Sequence, residues 1–182
     1  MKRDKLGLAR IVFFTDAVFA IAITLLALNL RLPQSVHSSG LAHNLQDLIP
    51  QYQSYATSFC VIGLYWISHH HYFRFIRRYN YTFVGINIAL LMGIAFLPFA
   101  TSVLDDYSNQ RSAVVFYALC MATTGFLKTL LWYYASHQFR LVSRFTSPQR
   151  IQRLTWRAMI PPVVFTLSIG LALLNVDLAK LS

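Results

Sequence analysis

Apolar residues fall in five long runs, at about 8–30, 51–73, 81–104, 113–135 and 159–176, separated by short polar connectors. A helix crossing the hydrocarbon core of a bilayer needs roughly 20 mainly apolar residues, so each run predicts a transmembrane helix. Proline placement agrees. Pro33 follows the first run, Pro50 opens the second, and Pro161-Pro162 stands near the expected start of the fifth, where a missing N–H costs least. Open strands cannot span lipid, so the pattern predicts an all-α integral membrane protein, a bundle of five transmembrane helices forming one domain over residues 1–182. The first run is too long for a cleaved signal peptide, is interrupted by Thr15 and Asp16, and has no small-residue cleavage site after it. It is expected to stay in the mature protein. Residues 139–157 form the sole sizeable polar connector, in which Arg150, Arg153 and Arg157 recur at helical spacing. They predict an amphipathic lead-in to the fifth span, either against acidic headgroups or as a solvated face.

Composition strengthens the membrane reading. The 182 residues are 56% hydrophobic and 12% charged, with a mean hydropathy of +0.48, whereas soluble domains carry about 25% charged residues. The net charge of +10, from 16 Lys+Arg against 6 Asp+Glu, would suggest nucleic acid on a soluble chain. Here it sorts by end. One end collects Lys2, Arg3, Lys5, Arg10, Arg74, Arg77, Arg78, Arg140, Arg144, Arg150, Arg153 and Arg157; the other has Arg31, Arg111 and Lys180 with Asp47, Asp105, Asp106 and Asp177. The positive-inside rule then puts the N-terminus in the cytoplasm, and no nucleic-acid partner is expected. Five spans leave the C-terminus outside, and residues 177–182 read as a loop leading to a further span. Cys60 and Cys120 lie inside apolar runs and give neither a disulfide framework nor metal-ligand spacing.

Charges and polar groups inside spans are expensive and mark functional sites by default. Arg10 and Asp16 in the first run are six residues apart, which on a helix turns them about 120° from each other and separates them by about 9 Å along the axis. They are poor partners, so Asp16 needs a donor from another helix. Candidates are Trp66, His69, His70 and His71 at the end of the second run and Asn87 in the third. A buried polar cluster joining the first three spans follows, either as a structural clamp or as a proton- or ion-handling site. Consecutive imidazoles fan out by about 100° each, so His69-His70-His71 cannot converge on one metal ion, and no metal site is expected. A nucleophile with its base and orienter is likewise not assignable, so no enzyme is expected.

Ile21, Leu25 and Leu28 fall at i, i+4 and i+7, an apolar stripe with Thr24 beside it and Asn29 near its outer end. Such a stripe serves either helix packing or, with several copies around an axis, a hydrophobic constriction that gates by dewetting, with Thr hydroxyls as a layer of cation acceptors. A Thr-Val-Gly-Tyr-Gly filter is absent, so selectivity would come from side chains.

The segment Arg10-x-x-x-Phe14-Thr15-Asp16, continued by 17–26, resembles the Arg-x-x-x-Phe-Ser-Asp first-helix signature of the transmembrane protein 175 family, potassium channels of animal endosomes and lysosomes and their bacterial homologues. The likeness extends through Trp66-x-x-His69-His70, Asn87, Leu97-Pro98-Phe99 and Ser147-Pro148-Gln149. It implies a bacterial single-repeat homotetramer in the plasma membrane, a potassium-preferring cation leak channel with no organic cofactor and no covalent chemistry. The first helices would line the pore, with Ile21 as main gate, Leu25 and Leu28 as further rings, and Thr24 as the layer tied to potassium preference. Arg10, Phe14, Thr15, Asp16, Trp66, His69 and Asn87 would form the inner packing network. Thr15 replaces the usual Ser, Asn29 stands where some members have an acid, and the family's sixth helix would follow Ser182. Two other readings stand beside this one: proton conduction or proton-coupled transport through Asp16 with His69 or His70, and a membrane scaffold whose stripe is packing alone.

Overall fold

A computed structural model describes residues 2–30, 46, 48–107, 110–143 and 146–174. These form five α-helices: α1 (Lys2–Leu25), continued by a 3-10 turn (Leu26–Asn29), α2 (Ile49–Phe73), α3 (Tyr81–Asp106), α4 (Arg111–Ser136), followed by a 3-10 turn (His137–Phe139), and α5 (Pro148–Leu174). At about 1.5 Å per residue each is long enough for a hydrocarbon core of roughly 30 Å. Three segments, Leu6–Asn29, Tyr81–Asp106 and Arg111–Phe139, are also apolar enough to cross a membrane by composition. The sequences of α2 and α5 are more polar, α2 through its glutamines, hydroxyls and histidines and α5 through its early arginines.

The element starts follow local chemistry. Asn80 caps α3, its Oδ1 accepting from the Phe83 N–H at 2.9 Å, while its Nδ2 donates to the Tyr134 hydroxyl of α4 at 2.8 Å. Pro50 sits in the first turn of α2, where no intrahelical N–H bond is lost. The fifth helix departs from expectation: lead-in and span form one continuous helix from Pro148, and Pro161-Pro162 lie in its middle. The fold accommodates them through a neighbour. In an unbroken helix the Ala158 carbonyl would accept from residue 162, whose nitrogen is a proline's; instead Thr129 Oγ1 of α4, which also lies 2.9 Å from the Gly125 carbonyl of its own helix, donates to it at the shorter distance of 2.7 Å.

α4 packs against α5 on one side and α3 on the other, and α1 lies against α3 and α2. With lipid outside, helices associate through close approach and interhelical hydrogen bonds. Gly125 of α4 provides the first: a Cβ there would lie 2.9 Å from Pro162 Cδ and 3.1 Å from the Tyr65 hydroxyl. Trp132 provides the second, fully buried, stacked on Tyr72 of α2 at 4.8 Å and donating from Nε1 to Thr155 Oγ1 of α5 at 3.0 Å.

At the basic end the two connectors are laced together. Ile76 and Val142 form an antiparallel bridge, and Arg77 N–H donates to the Leu141 carbonyl at 2.9 Å. The turn into this bridge holds Gln138 and Phe139 at φ 52° and 53°, a left-handed conformation that costs non-glycine residues energy. Of the charges that define the two ends, Arg31, Asp47, Arg144, Asp177 and Lys180 lie outside the described residues, as do the side chains of Lys2, Arg3 and Lys5 and the expected loop at 177–182.

Candidate functional site

The first helix has two unlike faces. Thr15, Phe19, Ala22 and Leu26 are buried against the neighbouring helices. The opposite face carries Arg10, Phe14, Ala17, Ile21, Thr24, Leu25 and Leu28, all exposed in the single chain. Among them Phe14 is 58%, Ile21 58%, Leu25 40% and Leu28 65% exposed. At 100° per residue these seven positions fall within a wedge of roughly 100°, so one strip of α1, apolar except for its Arg10 end and Thr24, is left without intrachain cover. Thr24 Oγ1 donates its proton to the Ile21 carbonyl at 2.9 Å. With its proton engaged there, the hydroxyl oxygen retains acceptor capacity.

The buried face is fastened by polar contacts. Asn87 of α3, itself buried, donates from Nδ2 to Thr15 Oγ1 at 3.0 Å. Its Oδ1 therefore faces the buried His69 of α2, 3.0 Å from Nε2, so His69 is the donor in that bond. The three helices are thus joined by one chain, His69 to Asn87 to Thr15. A second fastening runs from Trp66 Nε1 to Asp16 Oδ1 at 2.8 Å. Asp16 and His69 consequently hold different partners, and neither is the other's ligand in this arrangement.

The three histidines diverge as their helical spacing requires. His69 stacks on Phe73 at 4.1 Å, His70 lies 5.5 Å from Trp66, and His71 lies 5.5 Å from Phe75. Of the expected inner network, Thr15, Asp16, Trp66, His69 and Asn87 come together, while Arg10 and Phe14 stand apart on the uncovered strip. At the other end Asn29 donates from Nδ2 to the Pro98 carbonyl at 3.1 Å, pinning the 3-10 turn to α3. It lines a polar cleft of about 200 Å³ with Gln51, Ser102, Asp105 and Asp106. Two acids from the end of α3 thus lie in the same cleft as Asn29.

One buried charge was missed in the sequence. Lys128 of α4 is buried, with Nζ 4.7 Å from the centroid of the Tyr65 ring; the Tyr65 hydroxyl donates to the Met121 carbonyl at 3.1 Å. As the lone charged residue within 113–135 it was visible by the same rule that singled out Asp16.

The family model described as endosomal/lysosomal potassium channel TMEM175 matches residues 10–98. A potassium channel of Chamaesiphon minutus is 33% identical over 175 residues, 93% of this chain and 86% of that protein. The chain belongs to the TMEM175 family. A potassium channel of Streptomyces collinus is 30% identical over 173 residues, 93% of this chain and 84% of that protein. The crystal structure of a lysosomal potassium-selective channel TMEM175 homologue from Chamaesiphon minutus superposes with a TM-score of 0.84 at 31% identity, covering 96% of this chain and 90% of that one. The segment matched by the TMEM175 family model runs from Arg10 to Pro98, and so contains both faces of α1, the polar chain to Asn87 and the Asn29 anchor. The named relatives are channels and not enzymes.

Proposed function

We propose that this TMEM175 chain assembles as a homotetrameric, potassium-preferring cation channel in which the uncovered strip of α1 faces the central axis. The observation that carries the reading is the division of α1 into a face held by Asn87, Trp66 and packed side chains and an opposite face left open from Arg10 to Leu28. Four copies of an apolar strip around an axis make the hydrophobic constriction that a dewetting gate requires. Ile21 forms the main gate, Leu25 and Leu28 further rings, and Thr24 the acceptor layer for a partly dehydrated cation. Asn29, with Asp105 and Asp106 beside it, forms the outer mouth. The basic end faces the cytoplasm of a cell bounded by the plasma membrane, in line with the positive-inside rule. The potassium-channel names of the bacterial relatives support the ion assignment.

A second reading, proton conduction, draws support from a specific contact: Trp66 holds Asp16 at 2.8 Å and lies 5.5 Å from the exposed His70. Flux from liposomes loaded with potassium or sodium separates the two. On the channel reading potassium leaves faster than sodium, and Ile21→Asn raises the resting flux by hydrating the constriction. Unchanged flux in the variant overturns the gate. Proton flux alone, abolished by Asp16→Asn in protein that still assembles, transfers the function to the second reading.

A further inference from the structure

The basic end of the bundle contains a cleft that the conduction pathway does not use. It measures about 570 Å³ and lies between the end of α2 and the beginning of α5, where His71, Arg74 and Arg77 face Arg150, Arg153 and Arg157. Five guanidinium groups, from segments more than seventy residues apart in sequence, thus converge on one concavity. Among the described residues its lining carries no acid. The bridge between Ile76 and Val142 ties the connector after α2 to the one after α4, and a smaller hollow of about 330 Å³ sharing Arg74, Arg77 and Arg150 extends the cleft toward Ser147. Positive-inside topology alone asks for basic connectors and not for their convergence.

We propose that this cleft is a binding site for the phosphate headgroup of an anionic membrane lipid. Arginine forks pair with phosphate oxygens bidentately, and basic pockets between helices at the membrane surface suit anionic headgroups. The choice of a lipid over a soluble phosphate rests on what adjoins the cleft. Trp156, Ile160, Val163 and Leu167 are all exposed and recur at i, i+4, i+7 and i+11 on α5. At 100° per residue this apolar stripe is turned only about 80° from the stripe of Arg150, Arg153 and Arg157. It continues from the mouth of the cleft along the helix into the membrane. A phosphate seated among the arginines leaves its acyl chains along that stripe, with the Trp156 indole at the depth where such rings gather.

The test uses the full chain, purified and stripped of lipid in detergent, with lipid binding followed by native mass spectrometry. Wild type is expected to bind phosphatidylglycerol at least tenfold more tightly than phosphatidylcholine. The double variant Arg74→Gln/Arg153→Gln is expected to weaken phosphatidylglycerol by about 30-fold, roughly fivefold for each charge removed. Arg111→Gln, at the opposite end, is expected to leave it unchanged. Equal binding of the two lipids by wild type, or undiminished phosphatidylglycerol binding by the double variant, overturns the proposal. Inorganic pyrophosphate distinguishes the source: if it displaces the lipid as effectively as short-chain phosphatidylglycerol does, the site takes a soluble anion and the lipid assignment is wrong. Should the double variant fail to fold, wild type decides through salt. Phosphatidylglycerol binding is expected to fall at least fivefold between 50 and 500 mM ammonium acetate as the charges are screened, and binding indifferent to salt overturns the proposal.

Discussion

Replacing Asn87 by Leu tests the fastening of α1 most directly. The substitution removes both bonds of a buried amide, the one accepted from His69 Nε2–H and the one donated to Thr15 Oγ1, each 3.0 Å long. Interhelical hydrogen bonds inside membranes are worth about 0.6 kcal/mol on average and about 1.7 kcal/mol at most. Stranding a buried donor costs more, about 1–3 kcal/mol, and His69 is buried. Together these give a loss of about 2–4 kcal/mol for Asn87→Leu, and a similar loss of about 2–4 kcal/mol for Thr15→Val, which leaves the histidine bond in place but strands the buried Asn87 Nδ2–H. Because the two residues share a bond, their effects should fall short of additive by about 0.6–1.7 kcal/mol in the double variant. The assay is reversible unfolding in mixed micelles, followed by tryptophan fluorescence. Asn87→Leu within about 0.5 kcal/mol of wild type, or strict additivity with Thr15→Val, would refute the chain of bonds as drawn.

Three further outcomes follow from other contacts. Thr129→Val strands the Ala158 carbonyl that Pro162 already deprives of its helical partner, and is expected to cost about 1–3 kcal/mol in the same assay, more than Thr57→Val, whose hydroxyl serves only its own helix. Gly125→Leu drives a side chain into Pro162 and Tyr65 and is expected to cost about 1–3 kcal/mol by overpacking, measured as a lowered unfolding midpoint. Removing the Tyr65 ring with Tyr65→Leu should cost about 1–2 kcal/mol less in a Lys128→Met background than in wild type, because the cation it faces has gone; equal losses in both backgrounds would show that the 4.7 Å contact contributes nothing.

Much of the architecture was legible because hydrocarbon imposes a length and a polarity on anything that crosses it. Each of the five apolar runs became a helix, and the rule that intramembrane polar groups need partners led from Asp16 to a set of candidates that contains its partner Trp66 along with His69 and Asn87, which bond each other instead. The same rule applied to the fourth run would have found Lys128. What remained hidden depends on three-dimensional neighbours. Asp16 and His69 were candidates for each other, but helix rotation gave them separate partners, an outcome no spacing within one helix reveals. The continuity of α5 through two prolines was hidden because the compensating hydroxyl, Thr129, belongs to another helix. The convergence of Arg74 and Arg77 on Arg150, Arg153 and Arg157 was hidden for a similar reason: it depends on the bridge between two connectors that sequence shows only as loops.

The chain His69–Asn87–Thr15 and the Trp66–Asp16 contact have a consequence for how the protein enters its membrane. Every member of these contacts lies within the first 87 residues, so all are synthesised before α4 begins. Domains generally take shape from the N-terminal side as the chain emerges. Helices α1 to α3 can therefore satisfy one another's intramembrane polar groups while the ribosome is still working on the remainder. α4 and α5 carry their own stitches, Thr129 to Ala158 and Trp132 to Thr155, and can dock afterwards as a ready-made hairpin. The order of translation and the order in which hydrogen bonds are satisfied thus coincide, and once α3 is in place neither the histidine nor the aspartate has to wait for α4 and α5 to find its partner.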